Sequence, residues 1–522
     1  MLNNPWWMSS VIYHVYVRSY FDSNDDGVGD LNGLKSKLDY IQSCGANAVW
    51  ISPVHPSPNN DWGYDVSDFN SILPEYGSME DFDSLIEKAA SKKIHIILDE
   101  VFSHTSNQHP WFVDSSWGGQ KKDWYVWAEP KEDGTPPNNW LSVFGGPAWK
   151  YNPLTREYYF HKFFESQPKL NLHNPEVRAE ILNVLSLWLD KGVSGFRLDV
   201  ANTYAHDSAL RDNPPVPPEQ RTDWHWLFPP RLQQNIYDAN RPENAAFLRE
   251  IRAVANKYDD AFMFGEFSER PDLIDSYSGG KEGLHSFYTF ELLDLEDITP
   301  KKIADIYGQI NARSIWPLIS FSNHDVTRAT TRLFPKQTNF RSNQAKLILF
   351  MLMTLRGTPI IFQGEELGLQ QTDMPTLESI RDSVGKEYFP LYKGRDGART
   401  PMSWSTTKNN NGFSEGEPWI HTPKYESGYS VDEQHKEPTS ILNFFRKLSE
   451  FRNNNHDFIF SSFETIEASD DIWRFKRGEH LAYVNFSEKE LEIVPEPNAE
   501  CVLSNGLDGY MLQPYGCALF RK

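Results

Sequence analysis

The 522-residue sequence predicts an α/β protein built on a (β/α)8 TIM barrel, on three observations: short β-branched or aromatic runs recur along it, a helical pattern follows most of them, and the runs number eight. In order, the runs are Ile12-Tyr-His-Val-Tyr-Val17, Ala48-Val-Trp-Ile-Ser52, His95-Ile-Ile-Leu-Asp-Glu-Val101, Gly195-Phe-Arg-Leu-Asp-Val200, Phe262-Met-Phe-Gly-Glu-Phe267, Ser286-Phe-Tyr-Thr-Phe290, Leu318-Ile-Ser-Phe-Ser322 and Thr358-Pro-Ile-Ile-Phe-Gln363. Helices are expected over 31–43, 79–91, 175–191, 245–257, 300–310, 344–355 and 439–452. Two features depart from a bare barrel. Residues 103–174 are rich in Trp, Pro and Gly and far exceed a βα loop of ~2–6 residues, which predicts an inserted subdomain after strand three. Residues 458–522 read as short strands with turns at Lys476-Arg-Gly478 and Ser504-Asn-Gly506, a C-terminal antiparallel β-domain. The expected division is therefore 1–102 and 175–457 for the barrel, 103–174 for the insert and 458–522 for the β-domain.

Composition narrows the partners. There are 51 Lys and Arg against 72 Asp and Glu, a net charge of −21, which disfavours nucleic acid and acidic substrates. No apolar stretch approaches the ~20 residues that span a bilayer, and Met1 to Trp7 lacks a basic start followed by an apolar run, so neither a membrane segment nor a secretory signal is expected. Cys44, Cys501 and Cys517 are an odd, scattered set that fits a reducing compartment, and the reading is a cytoplasmic protein, monomeric or a weak homo-oligomer. Aromatic residues reach 14%, with 17 Trp, more than a core requires. With the negative charge, that surplus favours sugars as ligands.

The chemistry is read at the C-terminal ends of the strands, where a βα barrel places its active site. Strand three ends in Asp99-Glu-Val-Phe-Ser-His104, strand four in Arg197-Leu-Asp199-Val200, strand five in Glu266 and strand seven in Asn323-His324-Asp325. Three acids with an arginine and two histidines around one mouth suit retaining glycoside hydrolysis, in which a nucleophile and an acid/base lie ~5–5.5 Å apart. A lone Asp at a strand end is more often a turn residue than a catalyst, and for Asp65 and Asp99 the structural role stands level with the functional one. His109, His161, His173 and His285 lack such context and are read as structural, as are most Trp, with Trp62 and Trp149 kept as pocket-wall candidates.

At these residues the chain resembles the α-amylase family of glycoside hydrolases, family 13, over nearly its whole length. It is most similar to the oligo-1,6-glucosidase and α-glucosidase branch through Gln167-Pro-Lys-Leu-Asn171, Phe362-Gln-Gly-Glu-Glu-Leu-Gly368 and Gly394-Arg-Asp-Gly-Ala-Arg-Thr-Pro-Met402. The resemblance implies Asp199 as nucleophile, Glu266 as general acid/base and Asp325 as the carboxylate that stabilises the transition state. It implies Asp61, Tyr64, His104 and His324 as contacts to the glucose being removed, with Tyr64 the stacking platform. Arg197 would orient Asp199. Arg395 matches the residue that pairs with the Asp61 position and closes the pocket, with Arg399 the alternative carrier of that role. Lys169 stands where many oligo-1,6-glucosidases have Asp. Val200 resembles α-1,6-cleaving members, so an exo-acting α-glucosidase leaning to isomalto-oligosaccharides is expected. The alternatives are an α-1,4-specific enzyme, a glucosyltransferase or isomerase using sucrose or trehalose, and a non-enzymatic subunit of the same fold.

A second constellation, Asp22-Ser-Asn24-Asp-Asp26-Gly-Val28-Gly-Asp30, sets hard oxygen donors at alternate positions around a glycine turn. The twelfth position is Gly33, so it is no EF-hand. Related α-glucosidases hold a structural Ca²⁺ or Mg²⁺ through the positions matching Asp22, Asn24, Asp26, the Val28 carbonyl and Asp30. No phosphate loop, dinucleotide fingerprint, zinc motif or serine elbow is present, and no organic cofactor is expected.

Overall fold

The computed structural model describes residues 4–221, 229–278, 282–335 and 339–522; residues 1–3, part of the N-terminal reading above, lie outside the described residues. The barrel strands are β1 (Ile12–Val15), β2 (Ala48–Ile51), β3 (His95–Glu100), β4 (Gly195–Leu198), β5 (Phe262–Phe267), β6 (Ser286–Thr289), β7 (Leu318–Ile319) and β8 (Thr358–Phe362). They are parallel and stand in the order β7-β8-β1-β2-β3-β4-β5-β6, with Tyr13 between Val49 and Ile361 and Asp99 beside Arg197. Between β6 and β7 a side chain makes the join, as Ser286 Oγ donates to the Trp316 carbonyl at 2.6 Å.

Alternation along the strands builds two apolar layers. Ile12, Ala48, Trp50, Ile97, Phe262, Phe264, Tyr288, Leu318 and Ile360 pack together inside the barrel. Their neighbours Tyr13, Val49, Ile51, Leu98, Phe196, Met263 and Ile361 join the larger core beneath the helices. Both faces are therefore buried, as a parallel sheet wrapped by helices requires. Trp7 stacks on Phe262 with centroids 4.4 Å apart and Trp6 on His95 at 3.7 Å; both partners begin their strands, so the pair closes the N-terminal floor.

Four of the long helices start on side-chain caps: Ser78 in a reciprocal box with Asp81, then Asn174, Thr299 and Ser440. The helix expected over 31–43 is two, Leu31–Ser36 and Leu38–Ser43, broken at Lys37, whose Nζ sits 3.8 Å over the Phe21 ring and 4.3 Å over Trp404. Strand one stops at Val15, where the chain soon turns into the 3-10 segment Val17–Ser19. Strand seven is only two residues long because Ser320 Oγ donates to the Ser322 carbonyl and draws the chain out of the ladder.

Residues 101–174 leave the barrel and form a three-stranded antiparallel sheet from Trp127–Ala128, Glu157–Phe160 and Trp149–Asn152. Its own core is Val126, Trp140, Ala148, Trp149 and Phe160. Trp149 is thus packing, stacked near Trp140 and donating Nε1 to Asn138, and not a pocket wall. The chain after β4 is laced onto this insert. Lys162 pairs with Asp238 at 2.5 Å, both buried, while Trp140 Nε1 donates to the Arg211 carbonyl and Asn138 Nδ2 to that of Leu210.

The C-terminal strands, Phe463–Ala468, Ile472–Arg477, His480–Asn485, Leu491–Glu492, Glu500–Asp508 and Met511–Arg521, form one antiparallel sheet. Its first expected turn, at Gly478, is present. The second is not: Asn505 faces Cys517 while Leu507 faces Leu512, so 505–507 stays in the strand, the extra residues bulge from the facing strand between Leu512 and Cys517, and the turn falls at Gly509-Tyr510. Among the described residues no helix is long and apolar enough to cross a membrane.

Candidate active site

The inward parity that fills the barrel with apolar side chains carries on at its C-terminal end with charged ones. Ile97 is followed two residues later by Asp99, Phe264 by Glu266, and Arg197 by Asp199. The fully buried Arg197 guanidinium gathers all three acids: Nη1 donates to Asp99 Oδ1 and to Asp199 Oδ1, each at 2.6 Å, and Nη2 lies 2.9 Å from Glu266 Oε2. Asp99 also accepts from Tyr64 Oη at 2.9 Å and from Trp50 Nε1 at 3.1 Å. One cation cannot balance three carboxylates. Burial pushes Asp99 up to about 6, and burial with the Glu266 and Asp99 charges raises Asp199 well above the usual carboxylate range despite Arg197. The surplus negative charge thus favours the protonated forms of Asp99 and Asp199 relative to isolated carboxylates.

Val200 follows Asp199 in a left-handed conformation, φ 38° and ψ 47°, which costs a β-branched residue ~1–3 kcal/mol. That turn aims its N–H at Glu266 Oε2, 2.9 Å away.

Across the mouth stands a second cluster with the opposite balance. Asp325 Oδ1 accepts from Arg399 Nη2 at 2.9 Å and lies 3.4 Å from Arg395 Nη1, and Oδ2 lies 3.1 Å from His324 Nε2. Burial opposes its charge, yet His324, Arg395 and Arg399 hold it well below the usual range. Arg395 Nη2 donates to Asp61 at 2.7 Å, while Arg399 Nε donates to the His324 carbonyl. The contact with Asp61 thus belongs to Arg395, and Arg399 carries Asp325.

Aromatic rings join the two clusters. Tyr64 stacks on His324 at 5.2 Å and 5°, and His324 on Tyr16 at 5.7 Å. His104 Nε2 is 2.8 Å from the Tyr64 carbonyl, and Gln167 Nε2 reaches Asp61, the Tyr64 carbonyl and His104 together. Burial lowers both His104 and His324 to about 3, so both imidazoles are neutral. Asp61, Tyr64, His104, Arg197, Asp199, Val200, Glu266, His324, Asp325 and Arg395 thus meet at one mouth. Lys169 is fully buried, and its Nζ donates to the Ser103 carbonyl beside His104.

Asp99, whose structural and functional roles stand level in the sequence, joins the Arg197 cluster as its inward parity on β3 allows, and Asp382, with no signal in the sequence, contacts Arg395 from a loop without periodicity. His109, His161, His173 and His285 do have structural partners: His109 caps the helix Pro110–Ser116, and the others bond main-chain groups. Asp65 is likewise a turn residue, accepting from Ser57 and from the N–H groups of Asn60 and Asp61.

In loop 22–30 the donors are all hard oxygens, but they are occupied by the loop itself. Asp22 accepts from the N–H groups of Asn24, Asp25 and Gly27 and from Ser414, Asp26 from Val28, and Asp30 from Ser23 and Gly33. Among the described residues no three acidic, His or Cys side chains are gathered around a common point fit for a metal ion.

The α-amylase catalytic-domain family matches residues 14–461 of this chain. A probable alpha-glucosidase of Rhizobium meliloti is 42% identical, over 91% of this chain and 88% of its own length. The oligo-1,6-glucosidase of Parageobacillus thermoglucosidasius is 36% identical, over 94% and 92%. Among solved structures, the alpha-glucosyl transfer enzyme XgtA superimposes with a TM-score of 0.92 at 37% identity, covering 99% of both chains. The trehalulose synthase MutB of Pseudomonas mesoacidophila MX-45 does so at 0.90 and 30%, covering 99% of this chain and 100% of its own. An eight-stranded barrel with its acids gathered at one mouth, matched to that family over most of its length, makes this chain an enzyme of the α-amylase family of glycoside hydrolases.

Proposed function

We propose that the protein is a retaining, exo-acting α-glucosidase that removes the non-reducing terminal glucose of short oligosaccharides, with a preference for α-1,6 linkages. The observation that carries the reading is Arg197, whose single guanidinium touches Asp199 and Glu266 and so keeps the two carboxylates close together. Asp199 attacks the anomeric carbon while protonated Glu266 gives its proton to the leaving oxygen; Glu266 then takes a proton from water, which releases glucose from the covalent intermediate. Asp325, held ionised by its arginines, grips the 2- and 3-hydroxyls more tightly as the ring flattens. Tyr64 offers a ring face to the sugar, His104 and His324 exchange hydrogen bonds with its hydroxyls, and the Asp61–Arg395 pair closes the pocket beyond the 4-hydroxyl, which restricts cleavage to chain ends.

The linkage preference rests on Val200, whose N–H meets the acid/base and whose side chain carries methyl groups and no hydroxyl. The test is a panel of isomaltose, isomaltotriose, maltose, sucrose and trehalose, with the anomer of released glucose followed by NMR. Release of α-glucose fastest from isomaltose supports the reading, and Val200→Thr should then shift kcat/KM toward maltose. Faster maltose cleavage defeats the linkage assignment. Disaccharide products without net hydrolysis favour glucosyl transfer or isomerisation, the second reading that the likeness to XgtA and MutB supports.

We place the enzyme in the cytoplasm, since Cys44, Cys501 and Cys517 are all unpaired. Loop 22–30 is proposed to take a structural Ca²⁺ or Mg²⁺ through Asp22, Asn24, Asp26, the Val28 carbonyl and Asp30, the side-chain oxygens turning their remaining lone pairs to the ion. A chelator should lower the Tm by several degrees and added Ca²⁺ restore it; an unmoved Tm with no metal found by elemental analysis rejects the site.

A further inference from the structure

The Arg395 guanidinium contacts Asp61 and Asp325, but a third carboxylate fixes it. Asp382 accepts the Arg395 Nε–H on Oδ2 at 2.9 Å, the Nη2–H on Oδ1 at 2.9 Å and the backbone N–H on Oδ2 at 2.8 Å. This fork takes the Nε–Nη2 edge, so the remaining Nη2 hydrogen reaches Asp61 at 2.7 Å while Nη1 stays 3.4 Å from Asp325. The side chain of Asp382 is 0% exposed, against 23% for Asp325, which leaves it no route to a sugar. Asp382 is itself immobilised. Its N–H donates to Asp396 Oδ2 at 2.9 Å, and a Cβ on Gly394, where φ is 76°, would come within 2.7 Å of its Oδ2.

We propose that Asp382 is a positioning residue that sets the reach of Arg395, holding it tight against Asp61 and at arm's length from Asp325. Asp325 thereby keeps oxygen lone pairs for the sugar while the pocket stays closed. Released from Asp382, Arg395 would swing into a short pair with Asp325, cover the group that grips the 2- and 3-hydroxyls, and loosen its hold on Asp61. The inference rests on the reading of this pocket as a site for terminal glucose.

The test compares wild type, Asp382→Asn, Arg395→Ala and the double variant on p-nitrophenyl α-glucoside and its 4-deoxy analogue, with Tm as a check on folding. Asp382→Asn should raise KM by roughly tenfold or more and lower kcat as well, because the covered Asp325 grips the ring most tightly as it flattens, and should shrink the preference for the substrate that keeps its 4-hydroxyl. If Asp382 acts through Arg395, the double variant should match Arg395→Ala in kcat/KM. Should Asp382→Asn fail to fold, the Arg395→Ala pair carries the test, since there the change removes an unpaired buried charge. A folded Asp382→Asn with unmoved KM, or losses that add in the double variant, overturns the proposal. Wild type inert toward the glucoside overturns the pocket reading and the proposal together.

Discussion

The two carboxylate clusters at the barrel mouth are made of the same residue types and hold their protons in opposite ways. Around Arg197, three acids share one guanidinium, and Asp99 and Asp199 are pushed up. Around Asp325, two guanidiniums and a histidine face the acid, and it is held down. Burial penalises the charged form in both, so it cannot make the difference. The ratio of arginines to acids does, and it sorts the mouth into a half where Asp99 and Asp199 are pushed toward the protonated form and a half where Asp325 keeps its charge.

The largest effect should come from removing the attacking atom: Asp199→Asn is expected to lower kcat by roughly 10⁴-fold, the scale seen when one essential group is lost. Burst and steady-state rates on an activated glucoside measure it. Arg197→Lys breaks the comparison at its centre, because an ammonium cannot fork to three carboxylates, and a loss of ~10²–10³-fold in kcat is expected with the fold retained. Asp99→Asn sharpens it. With one like charge gone, Asp199 ionises more easily, so the acid limb of the kcat/KM profile should move to lower pH; a limb that stays or rises would assign the titration elsewhere.

The smallest effect concerns Glu365, a buried acid that accepts from the Phe362 N–H and whose burial the nearby Arg328 charge offsets only in part. Burial pushes Glu365 up to about 7, above its ordinary value, so its contribution to stability is full below that ordinary value and is lost as the pH rises toward about 7. Glu365→Gln should therefore raise the Tm by roughly 2–4 °C or more at about pH 8 and leave it unchanged at about pH 4.

Much of this arrangement was legible in the residue order. The strands could be read because parallel strands buried on both faces are nearly continuous apolar runs, and the acids because they fall on the inward parity at strand ends. What escaped depends on distant partners. The break at Lys37 is set by Phe21 and Trp404, the continuation of the strand through 505–507 by a bulge in the facing strand between Leu512 and Cys517, and the role of Asp382 by a loop closing on Arg395. Trp149 misled because an aromatic in a pocket wall and one in a small core have the same local sequence.

The lacing between the insert and the chain after β4 has a dynamic consequence. Lys162 with Asp238, and Trp140 with the Arg211 carbonyl, tie two segments that approach the mouth from different strands. Segments joined by buried polar staples open as a single cooperative unit, so their amide protons should exchange at one common rate, and cutting one staple should speed exchange on both sides of it.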